Sequence, residues 1–181
     1  MKNIVLVFSI ILVLCFMVSC QNKAEKAELE KFRLKAQIEE QNMALCRKLV
    51  EELNKGNIDF VREINAPDYA FYFPSSNPVT MNTDEVITMI KTNLASAPDA
   101  NWSVEEQAAS GDVVFTRIIV RGTHTAEYQG LPATGNKFEL SVLNWSRWKD
   151  EKIIEEREEA DMLGYMQQIG MEVRPKQPEK K

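Results

Sequence analysis

Side chains able to move a proton or polarise a carbonyl are few in this chain, and they gather in the stretch from Gly111 to Gly170. His124 is the only histidine, and it stands at the end of a strand-like run in the word Gly122-Thr123-His124. Arg117 alternates with Phe115 and Ile119, so its face should be covered and its charge should need an anion. Glu155, Glu139 or a ligand can supply that anion. Asp161 closes a later strand-like run and precedes Met162, Leu163, Met166 and Ile169, an apolar helical spacing. That position suits a helix N-cap as well as an ionisable group at the mouth of a sheet. A carboxylate in an apolar cavity has its pKa raised toward neutrality, and can then both take and return a proton. Acid/base proton transfer is the chemistry such an inventory supports.

Other chemistries lack their parts. Of the three cysteines, Cys15 and Cys20 belong to the apolar start of the chain, and Cys46 is alone beyond it. A disulfide framework is therefore not expected. Cys46 falls in the spacing Met43, Cys46, Val50, Leu53, where a small buried hydrophobe fits better than a nucleophile. One histidine and one thiol cannot assemble a zinc or copper site of His/Cys type; a carboxylate-only metal site stays open, with nothing to specify one. The net charge of -5 provides no basic field for nucleic acid.

Lys2 followed by Ile4 to Val18 forms a basic n-region and an apolar h-region of signal-peptide length, short of the roughly 20 residues of a membrane span. Its end, Met17-Val18-Ser19-Cys20, resembles the bacterial lipobox, in which the cysteine is lipidated and becomes the mature N-terminus. With such a lipobox, Gln21 rather than aspartate after the cysteine resembles the outer-membrane sorting of enteric lipoproteins, which implies a domain facing the periplasm. Several acyl chains on Cys20 anchor firmly where one would not.

From Lys23 to Lys55 the chain lacks proline and glycine and predicts a long helix, with Gly56 suited to the αL position past its end. Up to Glu40 the helix reads as a solvated spacer; from Met43 it carries an apolar stripe. The expected division is 1–19 leader, 20–38 anchor and spacer, 39–171 domain, and 172–181 disordered tail. A short helix is expected before Pro67, a strand over Tyr69 to Phe73, and a helix capped by Thr83 that stops before Pro98. Four strands follow, over 102–109, 113–125, 137–148 and 152–160. In the third, Phe138 to Trp148 place large side chains on both faces, so both are expected to be covered. In the last, Ile153, Glu155, Arg157 and Glu159 share one face, and Ile154, Glu156, Glu158 and Ala160 the other. The fold class is α+β, with helices over one face of a curved antiparallel sheet whose mouth makes a ligand pocket.

The order Gly111-Asp112-Val113-Val114, Arg117, Gly122-Thr123-His124, Tyr128, Gly130, Pro132-Ala133-Thr134-Gly135, Arg147-Trp148, Asp150, Lys152-Ile153, Glu155, Asp161, Gly164 and Gln168-Ile169-Gly170 resembles the SnoaL-like polyketide cyclase or ester cyclase family. Asn57-Ile58-Asp59, Ala66-Pro67-Asp68-Tyr69 and Ala97-Pro98-Asp99 extend the resemblance upstream, to about Gln41. It implies a cone fold like that of nuclear transport factor 2, and an intramolecular aldol closure of a polyketide ester without metal or cofactor. It also implies Asp161 as acid/base, with His124 and Arg117 polarising or orienting a carbonyl. A homodimer is a further family expectation. The chain departs from the pattern at Arg157, where relatives carry Trp, and at Glu151, which replaces a turn glycine. Arg157 could bring charge toward the cavity and suit a polar ligand; Trp145 and Tyr72 join it as candidate substrate-binding residues. The leading expectation is a lipid-anchored ester-cyclase-type protein with a small-molecule pocket. The alternatives are a non-catalytic ligand- or partner-binding envelope lipoprotein of the same fold, and a structural envelope protein that assembles through the helix Lys23 to Glu40.

Overall fold

The computed structural model describes residues 2–74, 79–172 and 174, with side chains in the first helix given for residue 23 and from 25 onward. The lipobox side chains and most of the tail lie outside that description. Two compact units divide at Ile38/Glu39. The first is purely helical, and the second carries the sheet.

Helix α1 (Lys2–Asn54) is one continuous run, and it ends where Gly56 takes a positive φ of 81°. A side chain there would be strained, which makes this glycine a helix stop. Beyond Glu39 the helix buries Cys46 and Val50 and packs Met43, Leu49 and Leu53 on the core. Its end is stitched to the sheet by Asn54, whose amide donates to the Trp102 carbonyl and accepts from the Trp102 N–H, both at 2.8 Å.

Short α2 (Phe60–Ile64) leads into β1 (Asn65–Phe73), which begins ahead of Pro67 rather than after it. Edge strand β2 (Val79–Met81), at three residues too short to show an alternation, precedes α3 (Thr83–Ser96). The cap of α3 is Asn82, one residue before the expected Thr83. The Asn82 side chain accepts from the N–H groups of Asp84 and Glu85, and Glu85 returns to the Asn82 N–H. Closing donors from both sides is worth more than a lone hydroxyl cap.

Strands β3 (Asn101–Ser110), β4 (Val113–Thr123), β5 (Lys137–Lys149) and β6 (Lys152–Ala160) form a meander, and α4 (Met162–Gln168) follows. The curved six-stranded sheet runs β2-β1-β6-β5-β4-β3. It is α+β as expected, but not wholly antiparallel, because β1 lies parallel to β6. The β5–β6 turn has Asp150 and Glu151 both at positive φ, so Glu151 does adopt the conformation that a glycine would hold.

Only one face of β5 is covered. Phe138, Val142, Asn144, Ser146 and Trp148 are buried, whereas Leu143 on the other face is 58% exposed and Phe115 beside it on β4 is 53% exposed. The expectation of two covered faces fails because the helices of this unit lie on one side only.

Candidate functional site

Strand alternation turns Thr116, Ile118 and Val120 of β4, and Phe138, Leu140, Val142 and Asn144 of β5, toward the helices. On β6 the same side receives Ile153, Glu156, Glu158 and Ala160. The sequence pattern had put Ile153 and Glu156 on opposite faces. A bulge reconciles them: Arg147 pairs with Glu155 and the next residue, Trp148, with Ile153, so Ile154 is the extra residue and the alternation changes phase. These side chains, with α1, α3 and the loop carrying Tyr128, enclose a cavity of about 790 Å³. Its size is that of a small-molecule site, and most of its wall is apolar.

Four carboxylates stand in that wall, Glu85, Glu127, Glu156 and Glu158, and the last two share β6. Glu156 and Glu158 are half-buried, and the exposure they keep is toward the cavity. Tyr69, buried on β1, donates its hydroxyl to Oε2 of Glu156, and the Asn144 amide donates to Oε1 at 3.0 Å. Burial raises the Glu156 pKa, and both hydrogen bonds pull it back. Burial first, and the charge of Glu156 second, push Glu158 up to about 7. Tyr69 is held well above the ordinary phenol range by burial and by the same carboxylate. Cys46 also faces the cavity; burial pushes its thiol up to about 12, so it stays protonated and inert. Its sulfur lies 3.9 Å from Ser146 Oγ, which takes a hydrogen bond from Trp148 Nε1 at 2.9 Å.

The wall carries no Lys, Arg or His among the described residues. Its other ionisable groups are Glu85, Glu127 and the phenols of Tyr128 and Tyr165. Burial raises both phenols, Tyr165 to about 12, so they remain neutral hydroxyl donors. The two rings meet edge to face with centroids 5.6 Å apart.

The residues singled out from sequence lie elsewhere. Asp161 is exposed and caps α4, its Oδ1 accepting from the Gly164 N–H at 2.9 Å; its neighbours Ala160 and Met162 reach the wall, and it does not. His124 is fully buried outside the wall, where its backbone N–H donates to the Asn136 carbonyl and its carbonyl accepts from the Gly135 N–H, both at 2.9 Å. Its Nδ1 is 3.1 Å from Thr134 Oγ1, while Nε2 is buried without a hydrogen-bond partner. The imidazole therefore ties off the 124–136 loop. Arg117 pairs with Glu106 at 3.3 Å on the outer face, not with Glu155 or Glu139. Arg157 also lies outside: Glu155 holds it at 2.7 Å and its guanidinium stacks on Tyr72 at 4.4 Å. Trp145 stacks with Arg147 there, at 5.0 Å. Arg157 brings no charge to the cavity because it occupies the odd phase of a strand whose even phase points in.

Glu156, Glu158, Asn144 and Tyr69 are thus the polar residues that the sequence reading passed over as a charged run and ordinary strand positions. One signal was available. A strand charged at every position from Glu155 to Glu159, placed inside a sheet, must send every second charge to the covered side.

Comparison with known proteins agrees with this architecture. The family model described as SnoaL-like polyketide cyclase matches residues 44–169. The aklanonic acid methyl ester cyclase DnrD of Streptomyces peucetius is 28% identical over 128 residues, covering 70% of this chain and 88% of that one. AcmA of Streptomyces galilaeus, another aklanonic acid methyl ester cyclase, is 28% identical over 134 residues, 72% of this chain and 91% of its own. Among solved structures, wild-type IdmH, a putative polyketide cyclase from Streptomyces antibioticus, superposes with a TM-score of 0.66 at 30% identity, over 72% of this chain and 99% of that one. A SnoaL-like polyketide cyclase structure from Jannaschia shares the fold at a TM-score of 0.67 and 24% identity, over 75% and 96% of the two chains. With a domain-long family match and a cavity built on the same fold, this chain belongs to the SnoaL-like polyketide cyclase family.

Proposed function

We propose that the cavity takes an uncharged, ester-bearing small molecule and closes a ring in it, with Glu158 moving the proton. The observation that carries this reading is a carboxyl on the wall of an apolar cavity, with a pKa raised to about 7. A group so poised is half ionised near neutrality and serves as base and then as acid. The Glu158 carboxylate takes a proton alpha to a carbonyl, and the C–H electrons become an enolate. The enolate carbon attacks a second carbonyl of the same molecule, forming the C–C bond, and the resulting alkoxide recovers the proton from Glu158. The Tyr128 and Tyr165 hydroxyls are neutral donors suited to the developing oxyanion. A wall with carboxylates and no cation disfavours a free acid, which is why the substrate is read as an ester rather than its hydrolysed form.

The reading includes attachment of the chain to the bacterial envelope through lipidated Cys20, supported by the word Met17-Val18-Ser19-Cys20. The domain then works beside a membrane, facing the periplasm.

The test uses the full chain in detergent with an aromatic methyl ester carrying two ketones placed for six-membered closure, followed by the appearance of the ring product. Turnover by the wild type, and its loss in Glu158→Gln with the ester still bound, is the expected result. Binding without turnover in both would leave a carrier of such esters, the non-catalytic alternative. Equal turnover in both would reject Glu158 as the proton carrier.

A further inference from the structure

The two wall carboxylates of β6 are not equivalent, and their difference lies in who donates to them. Both oxygens of Glu156 accept hydrogen bonds, from Tyr69 on one side and Asn144 on the other. Both donors favour the charged form of Glu156 over the neutral acid. Glu158 is two residues along the same strand and on the same face, so the like charges are within one strand repeat of each other. Asn144 pairs with Glu158 in the β5–β6 ladder, and its amide, which donates to Glu156, pulls the Glu158 pKa back as well. Among the described residues no cation on the wall relieves the repulsion. Around the pair, α1 contributes the neutral thiol of Cys46, α3 contributes Glu85, the loop contributes Glu127 and Tyr128, and α4 contributes Tyr165.

We propose that Glu156 and Glu158 share one proton as a coupled pair, and that Tyr69, reaching Glu156 from the neighbouring strand, is the positioning residue that keeps this proton on Glu158. The inference rests on reading Glu158 as the proton-moving group and adds what sets its proton affinity. Two adjacent carboxyls in a medium of low polarity cannot both ionise easily, and the proton goes to the one with fewer donors. Removing the Tyr69 hydroxyl weakens the hold on the Glu156 charge. Glu156 then gains a share of the proton, and Glu158, with a less charged neighbour, gives its own up more easily.

The experiment is a carboxyl-carbon NMR titration of the full chain in detergent micelles, with 13C-labelled glutamate and no substrate. In the wild type, the carboxyl that titrates near neutrality should vanish in Glu158→Gln. In Tyr69→Phe the Glu158 midpoint should fall from about 7 toward the ordinary 4.5, and that of Glu156 should rise. A neutral-range midpoint belonging to Glu156, or a Glu158 midpoint unmoved in Tyr69→Phe, overturns the proposal. Should Tyr69→Phe lose its near-ultraviolet circular dichroism, Glu156→Gln replaces it: the Glu158 midpoint must fall once its neighbour carries no charge, and an unmoved midpoint is fatal. Because no substrate is present, a pair that titrates as described alongside absent ring closure sinks the cyclase reading alone. Ring closure with unmoved midpoints sinks the pairing alone.

Discussion

Asn144 stands opposite Glu158 across the β5–β6 ladder, yet its side-chain amide is given at 3.0 Å to Glu156, two residues away along the same strand. One neutral side chain thus sits between two carboxyls: its hydrogen bond goes to Glu156, and it eases ionisation of both. The cavity face of the sheet is organised by this shared amide rather than by the residues whose types first suggested chemistry.

Stability should record the Glu158 proton directly. The folded chain holds it up to about 7, while the unfolded chain releases it near 4.5. Between those values the folded state binds more protons, so stability falls as pH rises. The contribution is complete below 4.5, is lost above about 7 and amounts to something on the order of 3 kcal/mol. Glu158→Gln should therefore be more stable than the wild type at pH 8, with the gap closing toward pH 4.5. Urea midpoints across that range give the measurement; parallel curves for the two proteins would contradict it.

Asp161 is expected to matter to α4 and not to turnover. Asp161→Asn keeps an acceptor for the Gly164 N–H and should keep both fold and ring closure. Asp161→Ala should cost about 1 kcal/mol through the lost cap. A side chain at Gly164 would run into this cap, its Cβ falling 2.3 Å from Asp161 Oδ2. Loss of activity in Asp161→Asn at unchanged thermal stability would return that residue to the reaction.

The helices, the four-strand meander and the family were legible because each rests on local signals: period, caps, turn glycines and an ordered series of words. The site was not, and the reasons are specific. The bulge at Ile154 reverses which residues of β6 face inward, and a single extra residue in a ladder leaves no mark on composition. Parallel pairing of β1 with β6 brings Tyr69 to Glu156, a contact between residues 87 apart in sequence. Arg157 looked like a pocket residue because its partners, Glu155 and Tyr72, could not be placed on the outer face before the register was known.

His124 should behave as a loop anchor. In His124→Ala the buried ring and its Thr134 contact disappear, at a cost of roughly 2–3 kcal/mol. Amide exchange should quicken at Thr125 and Ala126, which donate to the Ser96 carbonyl from the same loop. The pH dependence of any turnover should keep its midpoint. A shifted midpoint with wild-type exchange rates would instead assign the imidazole to the chemistry.

Lipidation is tested by Cys20→Ala. The variant should leave the membrane pellet for the soluble fraction and lose label from a supplied fatty-acid analogue. Unchanged pelleting and labelling would reject the anchor.

The cavity end of β4 offers the sharpest probe of wall shape. A Cβ on Gly122 would fall 2.9 Å from Phe138 Cζ and 3.2 Å from the Ala100 Cα. The backbone contact cannot yield easily, so the Phe138 ring must move, and that ring is wedged edge to face on Tyr165 at 4.9 Å. Overpacking of this kind costs roughly 1–3 kcal/mol. Both rings line the cavity, so Gly122→Ala should weaken binding of a large ester more than that of a small one. Phe138→Leu removes the clashing end of the ring, and in the double variant much of the penalty should disappear as a coupling between the two positions. Additive losses in calorimetry of the single and double variants would show that Gly122 is required for some reason other than room for Phe138.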